Sequence, residues 1–259
     1  MKVLLVLSVI LAGSYASPSS RIAGGSTTDI AYYPFSTSLL RLQDNSYRHQ
    51  CGGTIISRNA ILSAASCFIT GTVADEPVSW RARIGSTFSN RLGLIHMIKR
   101  ITTHPGYLQT TRVNDVAVLR ATIDFTYGNT VQASYLAGGA YSLPGGTALQ
   151  AIGWGSTSAT GSVSAELRNT TIWVIEQETC ANRYNALNFA VTDNMVCAGW
   201  AGVGIRGQCQ GDTGSPLLHN NVVVGVFSWS EGCADPQYPG INTKVSSYAR
   251  WIEATAVAA

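Results

Sequence analysis

Residues 222–229 read Val-Val-Val-Gly-Val-Phe-Ser-Trp, an apolar run with Asn220-Asn221 before it and Ser230-Glu231-Gly232 after it. Bounded by turn residues in this way, it reads as a strand. Working outward, similar short apolar or alternating runs stand at 33–42, 53–57, 81–84, 116–120, 149–152 and 171–175. Many short strands and few helices predict an all-β sandwich or barrel rather than an α/β fold. The last stretch changes character: Tyr248, Trp251 and Ile252 recur at helical spacing among several alanines, which predicts a terminal amphipathic helix over 246–257. Residues 122–134 read as a crossover between two halves.

The chain has 259 residues and is 46% hydrophobic, enough to bury one large core or two small ones. Charged residues make up 12%, about half the usual ~25%, and the net charge is +3, so a nucleic-acid partner is not expected. Lys2, an apolar run over 3–11 and small residues up to Ala16 follow the order of a secretory signal peptide at 1–16. The run is well short of the ~20 residues a bilayer span needs, and no later segment is longer, so neither a membrane anchor nor a membrane partner is expected. Residues 17–21 are polar, contain Pro18 and read as a short propeptide, with the folded body beginning at Ile22.

Cys51, Cys67, Cys180, Cys197, Cys209 and Cys233 form an even set in an exported chain, which favours disulfides over thiol chemistry. Spacing alone allows ~15 pairings. No Cys-x-x-Cys pair exists, and His49, His96, His104 and His219 show no ligand spacing, so neither metal nor cofactor is expected. The three lysines are Lys2, Lys99 and Lys244, which leaves arginine to carry the positive charge of the exported chain. Arginine keeps its charge above pH ~12 where lysine loses its own near ~10.4, a composition suited to an alkaline fluid.

Six colinear segments carry a resemblance: Arg21-Ile22-Ala23-Gly24-Gly25, Cys51-Gly52-Gly53, Leu62-Ser63-Ala64-Ala65-Ser66-Cys67, Asn114-Asp115-Val116-Ala117-Val118-Leu119, Gly153-Trp154-Gly155, and Cys209-Gln210-Gly211-Asp212-Thr213-Gly214-Ser215-Pro216. Together they resemble the chymotrypsin-like serine proteases, especially trypsin-like proteins of insect guts, from Ile22 to the terminal helix. The resemblance implies two six-stranded antiparallel β-barrels, the first over about 22–125 and the second over about 126–245, with the active site in the crevice between them. It also implies disulfides joining Cys51 to Cys67, Cys180 to Cys197 and Cys209 to Cys233, and secretion into a gut lumen.

In that family an imidazole takes the proton of a serine hydroxyl, a buried carboxylate orients the ring, and two backbone amides stabilise the oxyanion. Asp115 stands where the carboxylate belongs. Ser66 stands in place of the histidine and Thr213 in place of the serine, with Ser215 in place of the motif's second glycine. Serine cannot act as a base near neutral pH and is too short to span from Asp115 to residue 213. His49 is the one other histidine near the crevice, and a structural hydrogen bond is its simpler role. Gly211 and Thr213 remain as an oxyanion hole, and Arg21, Ile22 and Asp212 as activation machinery. Gly207, where trypsin-like enzymes place an acidic pocket floor, Ser228, Trp229, Ser230 and Gly240 imply a narrowed, neutral specificity pocket. The sequon at Asn169 falls in a predicted strand.

The expectation is therefore a monomeric homologue that is not an enzyme, with a defective catalytic triad, binding protease inhibitors, substrates or partner proteases. The alternative is a very slow serine-type hydrolase acting after small or neutral residues.

Overall fold

The computed structural model describes residues 25–257. The expected signal peptide, the propeptide, Arg21 and Ile22 lie outside the described residues. The fold is two closed six-stranded antiparallel barrels followed by a helix, as the resemblance implies.

The first barrel is formed by β1 (Ser36–Gln43), β2 (Ser46–Ile55), β3 (Ala60–Ser63), β4 (Trp80–Ile84), β5 (Leu94–Thr103) and β6 (Ala117–Ala121). Its order is β1-β2-β3-β6-β5-β4, closing back on β1. Strand β4 shows why a barrel forms: its burial alternates as Trp80, Ala82 and Ile84 point inward while Arg81 and Arg83 stay partly exposed. This period of two places a row of apolar side chains on one face. Trp80 meets Phe68 edge to face with ring centres 4.7 Å apart, and Leu39, Ile55, Ile61, Leu62 and Leu119 fill the rest of the interior. Each of these apolar side chains stabilises the fold by roughly 1.5–3 kcal/mol through burial.

The second barrel comprises β7 (Ala148–Gly153), β8 (Arg168–Val174), β9 (Met195–Gly199), β10 (Pro216–His219), β11 (Val222–Trp229) and β12 (Gly240–Lys244). The order β8-β7-β10-β11-β12-β9 closes through the β8–β9 pairing. Strand β11 sits between β10 and β12 and is buried from Val223 to Ser228. Helix α1 (Gln177–Asn185) lies between β8 and β9, and α2 (Val245–Val257) ends the described chain. In α2, Val245, Tyr248 and Ile252 turn one face inward. The Tyr248 hydroxyl donates to Asn114 Oδ1 at 2.7 Å, so the terminal helix of the second half holds the segment that carries Asp115 in the first.

The three disulfides join Cys51 to Cys67, Cys180 to Cys197 and Cys209 to Cys233. Each contributes ~2–4 kcal/mol, chiefly by restricting the unfolded chain. The barrels meet most closely where Gly52 N–H donates to the Thr213 carbonyl at 2.8 Å. Gly214, at φ +84°, lies so close that a β-carbon there would stand 2.1 Å from Ser63 Oγ and 2.4 Å from the Gly52 carbonyl. Only glycine satisfies both the left-handed backbone and the contact.

Candidate active site

The short helical turn over residues 65–68 follows β3 and carries Ser66 and Cys67 into the crevice. Residues 114–115 lead into β6 and bring Asp115 beneath it. The Ser66 N–H donates to Asp115 Oδ1 at 2.7 Å, the Ser66 hydroxyl to Oδ2 at 2.8 Å, and the Ser228 hydroxyl to Oδ2 at 2.5 Å. The Asp115 backbone carbonyl accepts from Thr243 at 2.7 Å. The carboxylate is fully buried. That burial raises its pKa, with hydrogen bonds from Ser228 and Ser66 and the charge of Arg112 acting in the other direction. Asp115 is thus a stronger proton acceptor than an exposed aspartate.

Thr213 reaches the same cleft from the loop between β9 and β10 of the second barrel. Its hydroxyl lies 3.5 Å from the Ser228 carbonyl, a long contact that leaves it available to a ligand. The N–H groups of Gly211 and Thr213 have no partner among the described residues, while their neighbours Asp212, Gly214 and Ser215 all donate within the fold. Gly211 adopts φ +88°, the conformation that turns this loop. Two unpaired N–H groups beside a hydroxyl form a ready site for a developing oxyanion.

His49 does not reach Thr213 as a base; its ring nitrogens are engaged elsewhere. Nε2 lies 2.9 Å from the Gly211 carbonyl and Nδ1 2.8 Å from Ser38 Oγ. A carbonyl only accepts, so Nε2 carries the proton and Nδ1 accepts from Ser38. Desolvation pulls the His49 pKa down to about 4, outweighing the bond to Gly211, and the ring is neutral above that pH.

Asp212 accepts from Gly155 N–H at 2.8 Å and Cys209 N–H at 3.0 Å. A β-carbon at Gly153 or Gly155 would stand 2.0 and 2.1 Å from its oxygens, which accounts for glycine on both sides of Trp154. Burial raises the Asp212 pKa from 3.8 to about 7. In the single chain, with the 21–22 bond intact, folding therefore binds a proton as pH rises from about 4 to about 7. Stability is expected to fall across that window, by an amount of the order of 4 kcal/mol, and to level off above it. Denaturant titrations at stepped pH check this, and Asp212→Asn should remove the slope.

The pocket expected to be narrowed and neutral is lined as follows. Gly207 backs onto Ala234, with no carboxylate there. Gly240 does not leave free space: a β-carbon would meet the Phe227 ring at 3.1 Å, so that buried ring fills the room glycine vacates. Trp229 meets Phe189 edge to face with ring centres 4.7 Å apart, and the Ser230 hydroxyl donates to the Gly232 carbonyl at 2.6 Å. Phe227 immediately precedes Ser228 but was not among the residues expected at the pocket; only packing shows its ring against Gly240. Tyr107 and Arg112, joined by a 3.4 Å contact, also belong to the site and had no motif to announce them. Asn169 lies outside it, within β8, with its amide donating to the Tyr33 hydroxyl at 2.9 Å.

The trypsin family model matches residues 22–252. The chain is 43% identical over 260 residues to Trypsin CFT-1 of Choristoneura fumiferana, covering 99% of this chain and 100% of that protein. It is 41% identical to Trypsin, alkaline A of Manduca sexta, covering 96% of each, and 35% identical to a trypsin of Phaedon cochleariae, covering 91% and 88%.

These matches overturn the expectation of a protein that is not an enzyme, and with it the reading as a non-catalytic binder with a defective triad. Relatives at such identity over nearly the full chain are named trypsins. The identities of Ser66 and Thr213 stand; what fails is the step from two exchanged side chains to a lost activity. The physical reason is that the unpaired N–H groups of Gly211 and Thr213, the buried carboxylate of Asp115 and the cleft are set by backbone and fold, not by the two exchanged side chains.

Proposed function

Because the chain belongs to the trypsin family, we propose that it is a secreted serine-type endopeptidase of low turnover that cleaves peptides after small or neutral residues. The observation that carries this reading is the meeting of the Thr213 hydroxyl, the unpaired N–H groups of Gly211 and Thr213, and the Ser66–Asp115 pair around one cleft of about 390 Å³.

In this reading Thr213 Oγ1 attacks the scissile carbonyl, and the two N–H groups receive the oxyanion. Ser66 is too short to take the proton directly. A water in the cleft would pass it to Ser66, whose own proton shifts along the 2.8 Å hydrogen bond to Asp115, the base raised by burial. As the C–N bond breaks, the proton returns along the same relay to the leaving amine, and a second water, deprotonated the same way, hydrolyses the acyl-threonine ester. Such a relay is less effective than an imidazole, and the oxyanion hole and binding alone leave ~10³–10⁴-fold over water. The Phe227 ring and the absence of an acid at Gly207 support the small, neutral preference. Secretion and action on proteins follow from the family and from the signal-like leader; no helix among the described residues is long and apolar enough to cross a membrane.

A fluorophosphonate probe and an alanine-directed peptide panel test the reading on the protein beginning at Ile22. Slow turnover with covalent label at Thr213 is expected. A label elsewhere, or none, would defeat the assignment of Thr213.

A further inference from the structure

The cleft is chemically one-sided. Its lining includes Arg41 and Arg112 together with Ser66, Thr213 and Gln210, and contains no aspartate or glutamate at all. The two arginines are not equivalent. Arg41 is committed: it forms the single salt bridge among the described residues, with Asp75 at 3.1 Å, and also donates to Thr70 at 2.9 Å. Arg112 has no ion-pair partner of that kind. Its hydrogen bond to the Tyr107 hydroxyl is 3.4 Å long.

Arg112 is also held in an uncommon backbone conformation, φ +55°, at the end of a tight loop pinned by the Leu108–Val113 bridge. That conformation is costly for a side chain with a β-carbon and is enriched where function demands a direction. A purely structural role, holding the buried charge of Asp115, explains it poorly. Ser228 and Ser66 do most to keep that carboxylate charged, and Arg112 contributes least among them.

Resting on the reading that the cleft receives peptides, we infer that Arg112 is a specificity-determining residue that selects acidic peptides, pairing its guanidinium with a glutamate or aspartate close to the cleaved bond. A planar guanidinium whose hydrogen bond to Tyr107 is a long 3.4 Å suits a carboxylate in a two-point pair. Asp115, the buried acid whose charge Arg112 supports, takes its hydrogen bonds from Ser66 and Ser228 and forms no salt bridge with Arg112. The substrate class is then a peptide with a small residue at the cleavage position and carboxylates beside it. The acid that would anchor a basic residue at the cleavage position is missing at Gly207, and a basic flank is disfavoured by like charge.

Fluorescence anisotropy reads this without turnover. Labelled peptides identical except for Glu or Lys on either side of a central alanine are titrated against the protein beginning at Ile22. At low salt the Glu peptide should bind about tenfold more tightly, and the gap should narrow severalfold at ~0.5 M salt, where exposed charges are screened. Arg112→Gln should bring the two peptides within about twofold, Arg112→Lys should keep the sign of the preference, and Arg112→Glu should reverse it. Thermal unfolding of each variant confirms that it is folded. Equal binding of both peptides by the native protein, or a gap that survives Arg112→Gln, would overturn the inference. Preference without cleavage supports it while contradicting the hydrolase reading, and cleavage without preference does the reverse.

Discussion

Replacing Ser66 by histidine and Thr213 by serine in one chain is expected to raise kcat/KM toward an alanine-directed peptide by ~10³-fold or more. The backbone is already placed for it. The N–H of residue 66 is fixed to Asp115 Oδ1 at 2.7 Å by a bond that does not depend on the side chain, and Oδ2 is where the Ser66 hydroxyl now donates. An imidazole there would present one nitrogen to Oδ2 and the other to residue 213. Because base and nucleophile act as a unit, each single change should recover far less than the pair. A double variant that gains nothing, while unfolding at the native temperature, would mean that the cleft geometry is not catalytic.

The second large effect concerns the pocket. Phe227→Val removes the ring that meets the space over Gly240 at 3.1 Å. The preferred P1 residue should move from alanine to longer apolar residues such as leucine or methionine, by tenfold or more, since each added methylene in a fitting pocket contributes ~1–3 kcal/mol. Arginine should remain a poor substrate until Gly207→Asp is added, because the floor carries no charge. A peptide library scanned at P1 against native and variant proteins reads both. Arginine preference in the native protein would refute the pocket described above.

How much of this was legible in the sequence follows the range of the forces involved. Runs such as Val222–Trp229 and the alternation at Trp80–Ile84 disclose buried faces, because burial is written into side-chain type at a period of two. Leu94–Thr103 was missed as a strand because Leu94, Ile95 and Met97 are exposed and spoil the alternation, and Gln177–Asn185 was missed as a helix because it buries only Cys180 and Tyr184. The meeting of Ser66, Asp115, Gly211 and Thr213, which stand on segments distant in sequence, could be expected only through the family resemblance that their motifs carry. The Phe227 ring over Gly240 and the place of Arg112 in the cleft could not, since no motif of the resemblance names either and both are set by packing. The expected loss of activity failed for a related reason: it weighed two side chains and gave too little weight to the amides and cleft that the fold supplies.

The most direct measurement is the turnover of an alanine-directed peptide by the protein beginning at Ile22, side by side with its Thr213→Ala variant. Cleavage at the expected bond that disappears in the variant, with the three disulfides and the unfolding temperature unchanged, is the expected result. Equal rates from both proteins, at the level of buffer alone, would contradict the assignment of peptide hydrolysis to Thr213.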